Sequence, residues 1–248
     1  MKNTGLALAA ALLLLAPGVG AQDEPAIVFG IYYRCSQALE AQADEVVQEV
    51  VGPILQRHVD AGSLTGWLWL THEQGGAWRR VLVTTGNDLG QMMQERDELV
   101  AEISESNADR MTELQTACPS HDDYIWFGVD ISTDNVDVIG TASVSSYHMC
   151  DRSREGRADE IFTELLGPLY QKHIDLGHLA SYGFYAHRVG GEFRRLETVS
   201  GADHTTVLNM QGAVYGEAFE TDPLAMQEFV DICHTHTDYM WSNANATN

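Results

Sequence analysis

The chain has 248 residues and carries 14 Lys and Arg against 36 Asp and Glu, which gives a formal net charge of −22. So few cations cannot build the basic surface that nucleic acids or anionic lipid headgroups require, so both partner classes are excluded. Hydrophobic residues make up 44% of the chain and charged residues 20%. This composition is typical of a globular protein and excludes a disordered one.

The first residues of the chain have the pattern of an export signal. Lys2 precedes an apolar run from Leu6 to Ala16, and the small residues ending at Ala21 fit a cleavage site. The run is shorter than the ~20 residues of a membrane-spanning helix. We therefore predict a signal peptide over residues 1–21, a periplasmic or secreted location after cleavage, and no membrane insertion.

The rest of the chain is an internal duplication with a constant offset of 115 residues. Segment 35–126 aligns without a gap with segment 150–241. Both copies contain the patterns His-x-x-Gly-Gly-x-x-Arg-Arg and Cys-x-x-His-x-Asp-Tyr-x-Trp. Two copies of this size predict two domains rather than a solenoid. We place repeat 1 over residues 24–130 and repeat 2 over residues 141–248.

The predicted elements of each copy follow the order β-α-β-β-α-β, which is the ferredoxin-like split motif. Apolar runs predict the strands, a stripe with helical spacing predicts the first helix, and a Gly-Gly pair predicts a hairpin turn. We expect a kink or a restart of the first helix at Pro53 and a break in the second near Ser106. The predicted ranges in repeat 1 are strand 27–34, helix 44–59, strand 64–72, turn 74–76, strand 78–84, helix 89–116 and strand 124–129.

The four cysteines test this order independently. Cys35 ends the first strand and Cys118 just precedes the last, and these strands are antiparallel neighbours in a ferredoxin-like sheet. The same positions in repeat 2 are Cys150 and Cys233. We therefore predict the disulfides Cys35–Cys118 and Cys150–Cys233, which an oxidising compartment would permit. A zinc site is the weaker interpretation because the chain has no Cys-x-x-Cys.

Each predicted sheet has one face covered by helices and one bare face that must be buried. With this element order and duplication, the chain resembles the dimeric α/β-barrel superfamily with both protomers fused in tandem. That group includes antibiotic-biosynthesis monooxygenases, muconolactone isomerases, chlorite dismutases, dye-decolourising peroxidases and stress-responsive barrel proteins. The resemblance implies an α+β fold in which two tandem ferredoxin-like units pack sheet to sheet as a pseudo-dimeric α/β barrel. It also implies a monomer with internal pseudo-two-fold symmetry.

Ionisable side chains that recur in both copies are the candidate binding residues. They could hold a divalent metal, a haem or an anionic substrate, or act as an acid–base relay. In the structural alternative, one arginine of each pair is buried against Asp123, Asp238 or a helix acid, and the histidines bond their own loops. Which arginine faces inward stays open. The candidates are His72, Arg80, His121, Asp123, His187, Arg195, His236 and Asp238, with His234 as an extra imidazole in repeat 2.

Two other repeated features have simpler interpretations. His58 and His173 lie near the C-terminus of the first helix of each copy, where a positive charge complements the helix dipole. The strands also carry many aromatic side chains, which line either a hydrophobic core or an apolar ligand cavity. The core is the simpler of these two roles.

Three functions are open from the sequence. The first interpretation is an exported, non-catalytic protein that binds a small apolar or aromatic ligand or a partner. The second is a cofactor-free or haem-dependent enzyme, monooxygenase-like or isomerase-like, on the same scaffold. The third is a structural protein associated with the cell envelope. The main expectation is that the protein has no cofactor, and haem or a divalent metal is the alternative for an enzyme that is not cofactor-free. A P-loop, a nucleophile elbow and a dinucleotide fingerprint are all missing from the sequence.

Overall fold

A computed structural model describes residues 26–132 and 140–244, which we call the first half and the second half. The signal peptide predicted over residues 1–21 lies outside these ranges. The elements in chain order are β1 (Ile27–Arg34), α1 (Glu40–Val46), α2 (Gly52–Asp60), β2 (Gly66–Gly75), β3 (Arg80–Gly86), α3 (Leu89–Ser106), α4 (Ala108–Ala117), β4 (Ser120–Ile131), β5 (Ala142–Met149), α5 (Glu155–Ile161), α6 (Gly167–Asp175), β6 (Ser181–Val189), β7 (Arg195–Gly201), α7 (His204–Thr221), α8 (Pro223–Ile232) and β8 (Thr235–Asn243).

The first helix of repeat 1 restarts at the proline. A π-helical segment, Val47–Val51, joins α1 to α2, and Pro53 lies in the first turn of α2. A proline is tolerated there because its missing N–H falls in the first helical turn, so the restart is the one of our two expected outcomes that the structure shows. The predicted break near Ser106 is confirmed, because α3 ends there and α4 begins at Ala108.

All eight strands form one closed antiparallel barrel in the order β1-β3-β2-β8-β5-β7-β6-β4. Each half contributes four neighbouring strands, ordered β4-β1-β3-β2 in the first half and β8-β5-β7-β6 in the second. Two seams close the barrel, where β2 pairs with β8 and β4 pairs with β6. The two halves therefore join through hydrogen-bonded strand edges as well as through facing sheets.

The barrel divides the core into an interior and two outer layers. Alternation along each strand sends one set of side chains inward and the other towards the helices. The interior is mainly aromatic and includes Trp126 and Trp241, both 0% exposed. The outer layers separate the helices of each half from the barrel. Aromatic rings thus serve mostly as core, although Trp67 and Trp69 face the helices instead of the interior.

The Gly-Gly pairs stand where the predicted β2–β3 and β6–β7 hairpins turn, and they have a second role at the seams. β2 continues to Gly75, which pairs with Tyr239 across the first seam. Gly75 has a φ of +117°, and Gly190 at the second seam has a φ of +135°. A Cβ on Gly75 would lie 2.9 Å from the Cα of Tyr239. The backbones of the two strands are therefore too close here to leave room for a side chain. The glycines are therefore a requirement of barrel closure.

Both predicted disulfides are confirmed. Cys35 is bonded to Cys118 and Cys150 to Cys233. The antiparallel register of β1 and β4, in which Arg34 pairs with Ser120, brings the first pair together as expected. Within the described ranges, no helix combines the length and apolar content needed to cross a bilayer.

Candidate functional site

The buried arginine of each pair is the second one, which faces the helices and is used inside the protein. Arg80 is 5% exposed and binds Asp44 of α1 through Nε at 2.6 Å and Nη2 at 2.8 Å. Arg195 is 3% exposed and binds Asp159 of α5 in the same way, at 2.5 and 2.8 Å. Both arginines thus pair with helix acids, and neither offers its guanidinium to a ligand.

The first arginine of each pair holds the repeated histidine. Arg79 donates from Nη1 to His72 Nδ1 at 2.5 Å and from Nε to Glu40 at 2.6 Å. Arg194 makes the equivalent contact with His187 at 2.6 Å. A guanidinium can only donate, so each imidazole accepts at Nδ1 and is neutral. These histidines are positioned as parts of the barrel rim.

We expect thermal stability to fall as the pH drops from 7 to 5. Burial lowers the pKa of His72 and of His187, and the charge of the neighbouring arginine lowers each further. The unfolded chain therefore binds protons first, at the ordinary value near 6.5, and stability present above that pH is lost below it. The check is the melting temperature against pH for the wild type and for the double variant His72→Asn with His187→Asn. The variant should show a shallower slope, and equal slopes would contradict this assignment.

The remaining sequence candidates lie apart from these groups. His121 Nδ1 contacts Asp123 at 2.7 Å, and His236 contacts Asp238 at 2.9 Å. All four side chains are roughly half exposed at the starts of β4 and β8. The candidates therefore form separate local pairs and do not converge on one pocket. Over the described ranges, no three His, Cys, Asp or Glu side chains are placed to hold a metal ion.

A buried polar cluster in the second half was missed by sequence reasoning. Glu197 of β7 is 0% exposed and faces the helices. The hydroxyl of Tyr170 donates to its Oε1, and the hydroxyl of Tyr215 donates to its Oε2 at 2.7 Å. His148 of β5 places Nε2 3.6 Å from Oε2. The amide of Gln211 adds a long contact at 3.4 Å. We call these five residues the Glu197 cluster.

The Glu197 cluster carries a charge that burial opposes. Burial by itself raises the pKa of the Glu197 carboxyl, but the His148 imidazole and the Tyr170 and Tyr215 hydroxyls outweigh it and hold that pKa below its ordinary value. Burial, together with the charge of Glu197, raises the pKa of both tyrosines well above 10. At neutral pH the cluster therefore contains a carboxylate with two phenol donors.

The first half has no such cluster at the equivalent positions. The offset of 115 residues replaces Glu197 by Leu82, and both side chains face the helices. The other four members of the cluster are also replaced by chemically different side chains in the first half. The first-half residues that match Tyr170, Tyr215, His148 and Gln211 are Leu55, Val100, Tyr33 and Arg96. Differences between the two copies could therefore have revealed the Glu197 cluster in the sequence. Our candidates were instead chosen from residues that are identical in both copies.

One edge of the Glu197 cluster approaches the surface along α7. Tyr215 and Gln211 are half-buried and lie one turn apart on this helix. Leu208 and Phe219 continue the same side of the helix and are 44% and 39% exposed. An apolar strip thus borders the two polar groups that connect Glu197 with solvent.

Comparison with known proteins gives the fold. No model of a known protein family matches the sequence, and no curated protein matches it significantly. Among solved structures, a protein described as a monooxygenase from Fusobacterium nucleatum superposes with a TM-score of 0.58 at 11% identity, covering 92% of this chain and 95% of that chain. An anthrone oxidase-like protein gives a TM-score of 0.54 at 8% identity, covering 90% and 93%.

A third similar structure is a chlorite dismutase variant from Candidatus Nitrospira defluvii in complex with cyanide. It gives a TM-score of 0.50 at 9% identity and covers 88% of this chain and 90% of that chain. At such identities the likeness concerns the fold alone. The chain therefore shares the fold of the dimeric α/β-barrel proteins, as found in monooxygenase-like proteins and chlorite dismutases.

Proposed function

We propose that the protein is an exported enzyme that removes a proton from a small apolar, aromatic carbon acid, with Glu197 as the base. In this proposal the chain consists of two tandem ferredoxin-like units, and only the second unit is catalytic. The strand order within each half and the repeated disulfides support the tandem arrangement. The disulfides also support an oxidising compartment outside the cytoplasm.

The observation that carries the proposal is the fully buried Glu197 carboxylate in one half only. A buried carboxylate without an Arg or Lys partner is costly, and an apolar residue would be cheaper. Leu82 shows that the same position accepts an apolar side chain in this fold. A costly group that the fold does not require fits a catalytic role, because functional sites commonly trade stability for activity.

The geometry provides a path for a proton. Tyr215 donates to Glu197 and shares one face of α7 with the apolar strip of Leu208 and Phe219. A substrate lying on that strip would give its proton to the Tyr215–Glu197 pair, with the tyrosine hydroxyl passing its own proton to the carboxylate. Tyr170 holds the other carboxylate oxygen and fixes its orientation. Such positioned proton transfer is an ordinary source of rate acceleration.

The imidazole of the Glu197 cluster does not fit a haem. A histidine that ligates haem iron must turn a ring nitrogen towards an open apolar slot. His148 is the buried imidazole of the cluster, but its Nε2 faces Glu197 and its ring lies 6.1 Å from the Phe229 ring and 5.5 Å from the His236 ring. The haem-dependent form of the enzyme hypothesis is therefore the weaker one, and the cofactor-free form is the one that we develop. The comparisons likewise favour an enzyme over our first interpretation, a plain binding protein.

The test is proton exchange on anthrone, chosen because a similar structure is anthrone oxidase-like. In D₂O without oxygen, the protein should accelerate exchange of the two methylene protons, followed by NMR. Glu197→Gln keeps the shape and hydrogen-bond acceptor of the side chain but removes the charge. We expect it to lose at least about 100-fold of the acceleration while the fold is kept.

A matched control separates catalysis from stability. Glu155 is a second acid of the second half that faces arginines, so Glu155→Gln should lower stability and leave exchange unchanged. In air, oxygen uptake would reveal a following oxygenation, in which the methylene carbon becomes a carbonyl and O₂ supplies that oxygen and one water. Exchange no faster than in buffer, or equal rates for wild type and Glu197→Gln, would refute the proposed base.

A further inference from the structure

The imidazole at the end of the first long helix has different partners in the two halves. In the first half, His58 Nδ1 contacts Glu95 of α3 at 2.6 Å and the Ser63 hydroxyl at 3.3 Å. In the second half, His173 Nδ1 contacts His178 Nδ1 at 3.1 Å. His178 occupies the position of Ser63 under the offset of 115 residues. One oxygen partner has thus been replaced by an imidazole nitrogen.

The other oxygen partner has been replaced by a thioether. Met210 of α7 occupies the position of Glu95, and α3 and α7 have equivalent bounds in the two halves. Met210 is partly buried against the cluster that contains Ile174 and Leu179, the neighbours of His173 and His178. Because α7 is equivalent to α3, we expect the Met210 sulfur beside the two imidazole nitrogens, where the first half has one nitrogen and two oxygens.

The distances suit a metal ion between the two rings. An ion about 2.0 Å from both Nδ1 atoms, which lie 3.1 Å apart, would make an angle of roughly 100°, close to tetrahedral. His173 is 9% exposed, and its Nε2 has no hydrogen-bond partner among the described residues. His178 is exposed and leaves an entry path.

We propose that His173, His178 and Met210 form a binding site for Cu(I). Thioether sulfur with imidazole selects copper(I) over the harder divalent ions. Glu217, the nearest acid of α7 in this region, is held by Lys172 at 2.8 Å and leaves the site to nitrogen and sulfur. The site shares no residue with the Glu197 cluster, so it does not depend on the proposed enzyme activity.

The test is anaerobic titration of the full chain with Cu(I) against a colorimetric chelator. We expect one tight equivalent for the wild type. His178→Ser introduces the first-half residue at an exposed position and should weaken binding by more than about 100-fold. Met210→Leu keeps the volume and should weaken it by about tenfold or more. X-ray absorption should show a sulfur neighbour at about 2.3 Å in the wild type that is absent from Met210→Leu.

His236→Asn is the matched control, because His236 is an exposed histidine outside the site. It should bind Cu(I) as the wild type does. A wild type without a tight equivalent, or a His178→Ser variant that binds as tightly as wild type, would overturn the proposal. Stronger retention of Zn²⁺ than of Cu(I) would overturn the assignment of the metal.

Discussion

Gly75→Ala should destabilise the protein by about 3–5 kcal/mol, which is the cost of strain and overlap together. The residue has a φ of +117°, a conformation that an alanine adopts only with strain. Its new Cβ would also collide with the carbonyl oxygen of Asp238 and the Cα of Tyr239, which belong to the paired strand across the seam. Because both obstacles are backbone atoms, side-chain rearrangement cannot relieve the overlap. Equilibrium unfolding in urea measures the loss.

Gly62→Ala is the control for this prediction. Gly62 also has a positive φ, +78°, but a Cβ there would meet no atom within 4 Å. Its substitution should cost only about 1–2 kcal/mol, the penalty of the left-handed conformation. The difference between the variants isolates the contact at the seam. Gly190→Ala at the other seam should resemble Gly75→Ala, since its Cβ would lie 2.8 Å from the Asp123 carbonyl oxygen. Equal losses for Gly62→Ala and Gly75→Ala would refute the role of the seam.

Arg195→Met should cost about 3–5 kcal/mol of unfolding free energy. The guanidinium is 3% exposed, binds Asp159 with two hydrogen bonds and lies 3.3 Å from Glu155. Its removal leaves the Asp159 carboxylate without its arginine partner, whereas Glu155 keeps its ion pair with Arg194. The charge of this arginine also contributes to holding the pKa of Glu155 below its ordinary value, together with Arg194, against the effect of burial.

A double-mutant cycle shows whether the loss belongs to the ion pair. Arg195→Met with Asp159→Asn removes both charges and should recover part of the stability lost by the single variant. Asp159 keeps a quarter of its side chain exposed, so water will screen some of the effect. Additive losses in the cycle would show that Arg195 acts mainly through packing of its aliphatic stem.

Repetition made most of the fold predictable from the sequence. The duplicated cysteines fixed which strands are neighbours, and the element order then set the arrangement of each half. The seams were not predictable in the same way, because pairing of β2 with β8 depends on contacts between distant segments. The Gly-Gly pairs were correctly placed at the two hairpins, but their contact with the other half was not predicted, because local turn chemistry and a close backbone approach both require glycine.

The candidate site was less predictable than the fold. Our candidates were residues repeated in both copies, and a residue can be repeated because both halves need it for their structure. Arg80 and Arg195 recur because each sheet must be tied to its first helix, and this need exists in both halves. Glu197 has no counterpart in the first half, so a search for repeated residues passes over it. In a duplicated chain, the more informative signal for function is a helix-facing strand position that is charged in one copy and apolar at the equivalent position of the other.

Closure of the barrel means that the first half cannot complete its strand pairing until β8 has been synthesised. The hydroxyl of Thr71 in β2 bonds the carbonyl of Ser242 in β8, 171 residues later. Until β8 has been synthesised, β2 has an unpaired edge that can form hydrogen bonds with a strand of another chain. The complete barrel has no free edge. β8 therefore protects the first half from pairing with other chains. A chain that lacks β8 alone would expose two unpaired strand edges, one on β2 and one on β5.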